Sequence, residues 1–436
     1  MNAFFKKITL MLLVICSLSA CKKEEKSFED KYVAGFKTYD DTLASGENPN
    51  IKVSEGKDRL FMTYGRGSFN LSFINGIFTF SNVEPVSVVM STDLSGNLIW
   101  RNTIPAGLFT SSLVELSDGS CLIVGADRRG FNPAIDDKKI YVFRYDRKGE
   151  LISNDSLLLG DEFGGYVFYN LGVLSLSGND VMIYGSILDG NTYSARGFSI
   201  KYNPLSGTEF IKPVDFGTSS TPNNMTSIYN CIKTIDNGFM FLGTFFSSIQ
   251  PGNPFSNKTV LIKTDNNCDT TWTKWFDNLN VDPLQEILQP TNVIQAKSGD
   301  YYLCFNDIPD FENIYSFKGF IYKVSALGDS IAGYSIKGPG NSYCSLIIED
   351  DNFGVVGLFN EFPGYLYYEF KPTYTQFQTQ LVGFNSNLKK ISTTLIQDSR
   401  TDFYSTACKL KDGRIAFFGL HRTNNFNSFV PALIIK

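Results

Sequence analysis

The feature that most constrains this chain is a repeat. Seven apolar runs, RLFMTYG, CLIVG, VMIYG, FMFLG, YYLCFN, FGVVG and IAFFG, end at Gly65, Gly125, Gly185, Gly243, Asn306, Gly357 and Gly419, with Asn306 standing where the others have glycine. The steps between them are 60, 60, 58, 63, 51 and 62 residues, 59 on average. Such a period means one supersecondary unit per copy, each unable to bury its apolar surface without neighbours.

Within a copy, turn dipeptides precede most of the runs: Glu55-Gly56, Asp118-Gly119, Ser177-Gly178, Asn237-Gly238, Ser298-Gly299 and Asp412-Gly413. They predict a hairpin between a first and a second strand. A third apolar strand then ends in a polar turn, as in VSVVMSTDLSGN and IYVFRYDRKGE, and a fourth follows, as in LIWRNTI and TTWTKWF. Four antiparallel strands per copy predict the blade of a β-propeller, with the extra length falling in the loop between second and third strands. The seventh copy has three strands: STACKLKDG, RIAFFGLHR and VPALIIK. Residues 31–40, KYVAGFKTYD, alternate as a strand and supply the missing fourth. The prediction is an all-β fold, a seven-bladed β-propeller of four-stranded antiparallel blades over residues 31–436, its ring closed by the N-terminal strand so that no sheet edge stays open.

The repeat, with DLSGNLIW and DGS before LIVG, resembles the Gly-Asn-Leu-x-Trp propeller repeats of bacterial secreted and surface proteins across nearly the whole mature chain. It departs from them where the final Trp is missing, copies five and six among them. The resemblance implies architecture and not activity, since propellers host many unrelated functions.

Residues 1–20 read as a secretory signal peptide, with Lys6 and Lys7 before an apolar stretch from Ile8 to Leu18 that is too short to span a bilayer. The ending Leu18-Ser19-Ala20-Cys21 resembles the bacterial lipobox, which implies that Cys21 is lipidated and that residues 21–30 form a tether to the membrane. Lys22-Lys23-Glu24-Glu25-Lys26 resembles the export tag of Bacteroidetes surface lipoproteins, which implies an outer-membrane anchor facing the cell exterior. The short sites Asp41-Thr42-Leu43, Asp155-Ser156-Leu157, Asp269-Thr270-Thr271 and Asp329-Ser330-Ile331 resemble O-glycosylation acceptors of the same bacteria.

With Lys6 and Lys7 removed, 39 − 2 = 37 basic residues face 44 acidic ones, a formal charge of −7. Nucleic acid is therefore excluded as a partner. Of the six cysteines beyond Cys21 (Cys121, Cys231, Cys268, Cys304, Cys344 and Cys408), five sit in apolar runs. They read as buried thiols rather than disulfides, and they lack the CxxC spacing of a zinc site.

Chemistry is sparse. His421 is the sole histidine, so any triad or histidine-rich metal site would have to use it, and it reads as a loop residue. No P-loop or G-x-S-x-G elbow occurs, and no cofactor, metal or catalytic residue is assigned. Carboxylates in the long loops, namely Asp136, Asp137, Asp161, Glu162, Asp307, Asp310, Glu312, Glu361 and Glu369, leave room for an acid–base pair whose spacing the sequence does not define. DNNCD, Asp265 to Asp269, reads as a hairpin turn rather than a calcium loop. The loops joining second and third strands are unusually aromatic. FNLSFINGIFTF carries Phe69, Phe73, Phe78 and Phe80, and later loops carry Phe311, Tyr315, Tyr365, Tyr367, Tyr368 and Tyr374, the candidate ligand-binding residues. Aromatic faces stack on sugars and on protein surfaces alike.

The expectation from sequence is therefore a non-catalytic surface lipoprotein whose rim binds a glycan or an envelope protein. The alternatives are a polysaccharide-degrading hydrolase or lyase using loop carboxylates, and an envelope-assembly scaffold.

Overall fold

The computed structural model describes residues 35–39, 43–44, 51–66, 69–74, 77–82, 86–104, 108–127, 139–160, 163, 167–189, 194–214, 224–247, 256–276, 287–308, 318–335, 341–350, 354–362, 378–396, 402–422 and 428–436. They form seven four-stranded antiparallel blades in a ring. The innermost strands are Lys52–Glu55, Leu108–Glu115, Val167–Ser175, Asn224–Lys233, Ile287–Gln295, Asn341–Asp350 and Asp402–Lys409. Each touches the innermost strand of the next blade, and Lys52–Glu55 touches both Leu108–Glu115 and Asp402–Lys409, which closes the circle. All seven start at one rim, here called upper.

The closure is the one read from the sequence. Gly35–Thr38 lies antiparallel beside Ser428–Ile435, with Gly35 opposite Ile435 and Thr38 opposite Ala432, as the fourth strand of blade 7. Tyr39 continues the pairing by donating its backbone N–H to the Pro431 carbonyl at 3.0 Å, and its phenol donates to the Gly96 carbonyl of blade 1 at 3.1 Å. One side chain thus spans the seam where the chain's two ends meet.

The core is seven clusters, one between each pair of neighbouring blades. Strand alternation builds them. In CLIV, Cys121 and Ile123 face blade 1, while Leu122 and Val124 face blade 3. The seam between blades 7 and 1 has its own cluster, in which Tyr39, Leu60, Met62, Tyr64 and Met90 pack with Phe418, Leu433 and Ile435. The Trp of the repeat has a packing role. Trp100 lies under the outer turn of the next blade, where a Cβ on Gly149 (φ 88°) would stand 2.7 Å from the indole, and Trp272 lies likewise under Gly328 at 2.8 Å. Glycine serves twice there, giving room for the ring and adopting the left-handed turn.

Polar groups tie the blades along both ends of the inner strands. At the lower rim, the side chain ending one inner strand accepts a turn N–H from the blade before: Glu55 from Lys411 (2.7 Å), Glu115 from Lys57, Gln295 from Ile235 (2.8 Å) and Glu349 from Lys297 (3.0 Å). Higher up, fully buried Asn306 accepts from the Cys344 N–H at 2.6 Å and donates to the Cys344 carbonyl at 3.0 Å. The strand register also relocates Asn306. The residues opposite the position before the inner-strand bulge are Gly125, Gly243, Phe305, Phe359 and Gly419, so Asn306 stands one place beyond the glycine column and Gly357 two places short of it.

Other expectations resolve as follows. DNNCD is a hairpin turn, the Asp265 carboxylate accepting the N–H groups of Asn267 (2.8 Å) and Asp269 (2.9 Å). FNLSFINGIFTF falls in a paired segment too, Phe69–Ile74 lying antiparallel to Ile77–Asn82 as a two-stranded sheet of their own. His421 lies inside the strand Ile415–Arg422 rather than in a loop, because the second strand of blade 7 outlasts its apolar run by two residues. Of the acceptor-like sites, Thr270 and Ser330 open fourth strands, whereas Asp155 falls within one. Cys121, Cys231, Cys268, Cys304, Cys344 and Cys408 are thiols, and no disulfide joins them.

Three tests follow from the packing. Tyr39→Ala removes a buried ring at the seam and is expected to cost about 3 kcal/mol of unfolding free energy by denaturant titration, against about 1 for Tyr39→Phe. Asn306→Ala strands a buried N–H and carbonyl, and a cost of about 2 kcal/mol or more is expected in the same assay. The thiols carry a pH signature: burial raises Cys268 from 9.0 to about 11 and Cys408 to about 12. A folded-state pKa above the unfolded one means that stability is complete below about pH 9 and is lost as pH climbs through 11 to 12. Thermal midpoints are expected to fall across that interval, and a thiol reagent at neutral pH should label the protein only after denaturation.

Candidate functional site

The connections between blades, and those between second and third strands, all emerge at the upper rim. The strand ends that flank the long aromatic loops therefore share one face of the ring. The loops with the candidate binding residues leave blades 5 and 6 at Ile308 and Phe362 and return at Lys318 and Gln378. Phe311, Tyr315, Tyr365, Tyr367, Tyr368 and Tyr374 themselves lie outside the described residues, as do Cys21, Asp136, Asp137, Asp161, Glu162, Asp310, Glu312 and Glu369.

The register between first and second strands divides the described ring into layers. The lowest pairs Glu55, Glu115, Ser175, Lys233, Gln295, Glu349 and Lys409 with Leu60, Cys121, Val181, Phe239, Tyr301, Val355 and Ile415. Three residues further along the second strands, the inner-strand partners are Lys52, Ser112, Gly172, Asn230, Asn292, Leu346 and Thr406. Just above this level, blades 2, 4, 5, 6 and 7 each carry a one-residue bulge, and in blade 3 the bulge sits higher, before Asn170. Bulges bend a strand and re-aim its side chains, and they recur beside active sites.

Six residues along, at the upper rim, the second strands present Arg66, Asp127, Ile187, Phe245, Asp307, Glu361 and His421. The distribution is uneven. Blades 3 and 4 hold apolar residues, while blades 5, 6, 7, 1 and 2 hold Asp307, Glu361, His421, Arg66 and Asp127 in unbroken succession. Asp402 is the cross-strand partner of His421 on the innermost strand. By backbone register, one arc of the rim thus holds successive positions occupied by Asp, Glu, His, Arg and Asp, residue types that acid–base chemistry uses. Asp307 and Glu361 were among the loop carboxylates singled out from the sequence, where His421 read as a loop residue. Arg66, Asp127 and Asp402 were missed, although a column at the repeat's own period contains them. Among the described residues no group of three or more His, Cys, Asp and Glu could hold a metal ion.

The middle layer holds one cation. Lys52 opens the innermost strand of blade 1, opposite Thr63, whose hydroxyl meets that of Thr110 on blade 2 at 2.8 Å. Its side chain is exposed to solvent, yet protein surrounds it closely enough for burial to hold its ammonium below the ordinary lysine value.

No protein-family model and no curated protein matches the chain. Among solved structures, the polysaccharide lyase Uly1 is similar over 88% of this chain and 89% of its own, with a TM-score of 0.54 at 10% identity. An α-L-arabinofuranosidase of Fusarium graminearum bound to arabinobiose is similar over 74% of this chain and 92% of its own (TM-score 0.44, 13% identity). A protein of unknown function from Bacteroides caccae is similar over 68% and 84% (TM-score 0.38, 10% identity). The two lower scores carry no argument. The first corrects the expectation of a non-catalytic propeller that only binds a glycan or an envelope protein: the fold shared over nearly all of both chains is, in Uly1, that of an enzyme that degrades polysaccharide.

Proposed function

We propose that this protein is a polysaccharide-degrading enzyme, a hydrolase or a lyase, that works at the upper rim of its propeller. The observation that carries the reading is the arc of Asp307, Glu361, His421, Arg66 and Asp127, with Asp402 opposite His421. The fold it shares with a polysaccharide lyase supports the same class. Both reactions on this reading need a base and an acid flanking the glycosidic bond. In hydrolysis, a carboxylate takes a proton from water while a carboxylic acid protonates the departing oxygen. In elimination, the base takes the proton beside a uronate carboxyl, the electrons form a C=C bond, and the glycosidic oxygen leaves with a proton from the acid. The aromatic loops on blades 5 and 6 would supply stacking surfaces for the flanking sugars. Lipidation at Cys21 would hold the enzyme on the outer membrane, facing the polymers outside the cell.

The test is incubation of the protein with a panel of acidic and neutral polysaccharides, following reducing ends and the ultraviolet absorbance of unsaturated uronates. New reducing ends alone identify a hydrolase, and both signals together identify a lyase. His421→Gln, Glu361→Gln and Asp307→Asn are to be compared with the parent, and at least one is expected to lower kcat by about a hundredfold or more with the fold intact by circular dichroism. Failure to release either product from any polymer, or three variants as active as the parent, would overturn the reading.

A further inference from the structure

The exposed apolar side chains of the described residues are unevenly placed. Of the twelve large ones, only Leu158, Trp275 and Leu395 lie toward the upper ends of the outermost strands. The others stand at the lower rim, in its turns or in the first two residues of the strands that leave them. Blades 1 to 6 each supply at least one, Leu98, Leu151, Leu205, Ile235, Leu327 and Ile391 in that order, with exposures from 48 to 72%. Leucines scattered singly over a surface need no explanation, whereas a row that recurs in six successive blades at one rim marks an interaction surface.

Blade 7 has no such residue among those described, and its outermost strand is the incoming chain. Gly35 lies opposite Ile435 at the lower end of the blade and Thr38 opposite Ala432 above it, so the polypeptide enters the ring at the lower rim. Cys21 stands 14 positions before Gly35. That length of chain spans at most roughly 50 Å. Inner strands of 8 and 9 residues make a blade about 30 Å tall, so turning the upper rim to a bilayer would use more than half of the reach. The lower rim is the side that the anchor point brings to the membrane.

The charges of this rim fit the same surroundings. Its acidic turn residues are matched, Asp236 with Lys263 at 2.9 Å, Asp300 with Lys323 at 3.0 Å, Asp329 with Lys274 at 2.9 Å and Asp412 with Arg414 at 2.7 Å. Apolar side chains among paired charges suit the interfacial layer of a bilayer, where binding grows with the apolar area buried.

We propose that the lower rim rests on the lipid surface to which Cys21 is anchored, with its leucines and isoleucines entering the interfacial layer. This builds on the lipid-anchor reading and adds an orientation to it: the upper rim, with Asp307, Glu361 and His421, faces away from the membrane, toward the polymers outside.

The experiment has two arms. In the first, the full lipidated chain is placed in phosphatidylcholine vesicles that carry nitroxide-labelled lipid, with a fluorophore attached at Leu205→Cys or Leu327→Cys on the lower rim, or at Leu158→Cys or Leu395→Cys above. The chain without an added cysteine sets the background. Lower-rim fluorophores are expected to be quenched at least threefold more than upper ones. In the second arm, the mature chain with Cys21→Ser is floated with the same vesicles. It is expected to float, with little dependence on salt, and Leu205→Ser/Leu327→Ser/Ile391→Ser should weaken its partitioning by about tenfold or more while its thermal midpoint is kept. Equal quenching at both rims, stronger quenching above, or flotation that the triple variant leaves unchanged would overturn the proposal, as would a dimer in place of flotation, which would make a second copy the occupant of the rim. The two readings fail separately. A Cys21 found without acyl groups by mass spectrometry removes the anchor, while flotation that depends on the leucines keeps the rim, and an acylated chain quenched equally at both rims does the reverse.

Discussion

A sheet with two apolar faces has no stable edge to its assembly unless it returns on itself, and that constraint governs this molecule. Every blade sends alternate residues of each strand to its left and right neighbours, so seven blades need seven buried interfaces. The seventh joins residues from the two ends of the chain. Gly35–Thr38 hydrogen-bonds to the last strand while Tyr39 packs with Leu60 and Phe418 on either side of the seam, so the ring closes in the backbone and in the core together. Because both ends are needed, stability at the seam belongs to the whole ring and not to one blade.

Polar links work on a second level. The lower-rim glutamates and Gln295 cap turn N–H groups of the preceding blade, Asn306 grips Cys344, and Lys212 and Lys274 pair with the outer turns of the following blades. The buried ones hold donors and acceptors that would otherwise be stranded, which makes them costly to lose. The exposed pairs are worth little individually. The resulting scaffold is fixed from below and around its circumference, which leaves the upper rim to vary from blade to blade without disturbing the closure.

The division between scaffold and rim explains what could be read from sequence. Strand period, turn dipeptides and a 59-residue repeat are local signals, and they sufficed for seven blades and for the N-terminal closing strand. The Trp100 contact with Gly149 shows why the repeat has its Gly and its Trp: they meet between neighbouring copies. The site is different in kind. Asp307, Glu361 and His421 look unrelated in the chain, and the columns that bring them beside Arg66, Asp127 and Asp402 depend on register and on where each bulge falls. One added residue in an inner strand shifts every pairing above it, so apolar runs ending in glycine align the lower part of each blade and misplace Asn306 and Gly357 near the top. Function, which was read as binding without catalysis, was the least legible of all, because loop composition reports aromatic content and not which residues the register brings to one rim.

The same division shows at blade 1. In a closed ring the innermost strands turn their free backbone edges toward the axis, and halfway along them the other blades place Ser112, Gly172, Asn230, Asn292, Leu346 and Thr406. Blade 1 departs from this with Lys52, exposed and opposite Thr63. Thr63 and Thr110 already satisfy each other at that level, so the interface between blades 1 and 2 does not depend on the lysine. The interfaces are thus built by the alternating apolar residues and the paired hydroxyls, and the innermost positions are left free to differ from blade to blade.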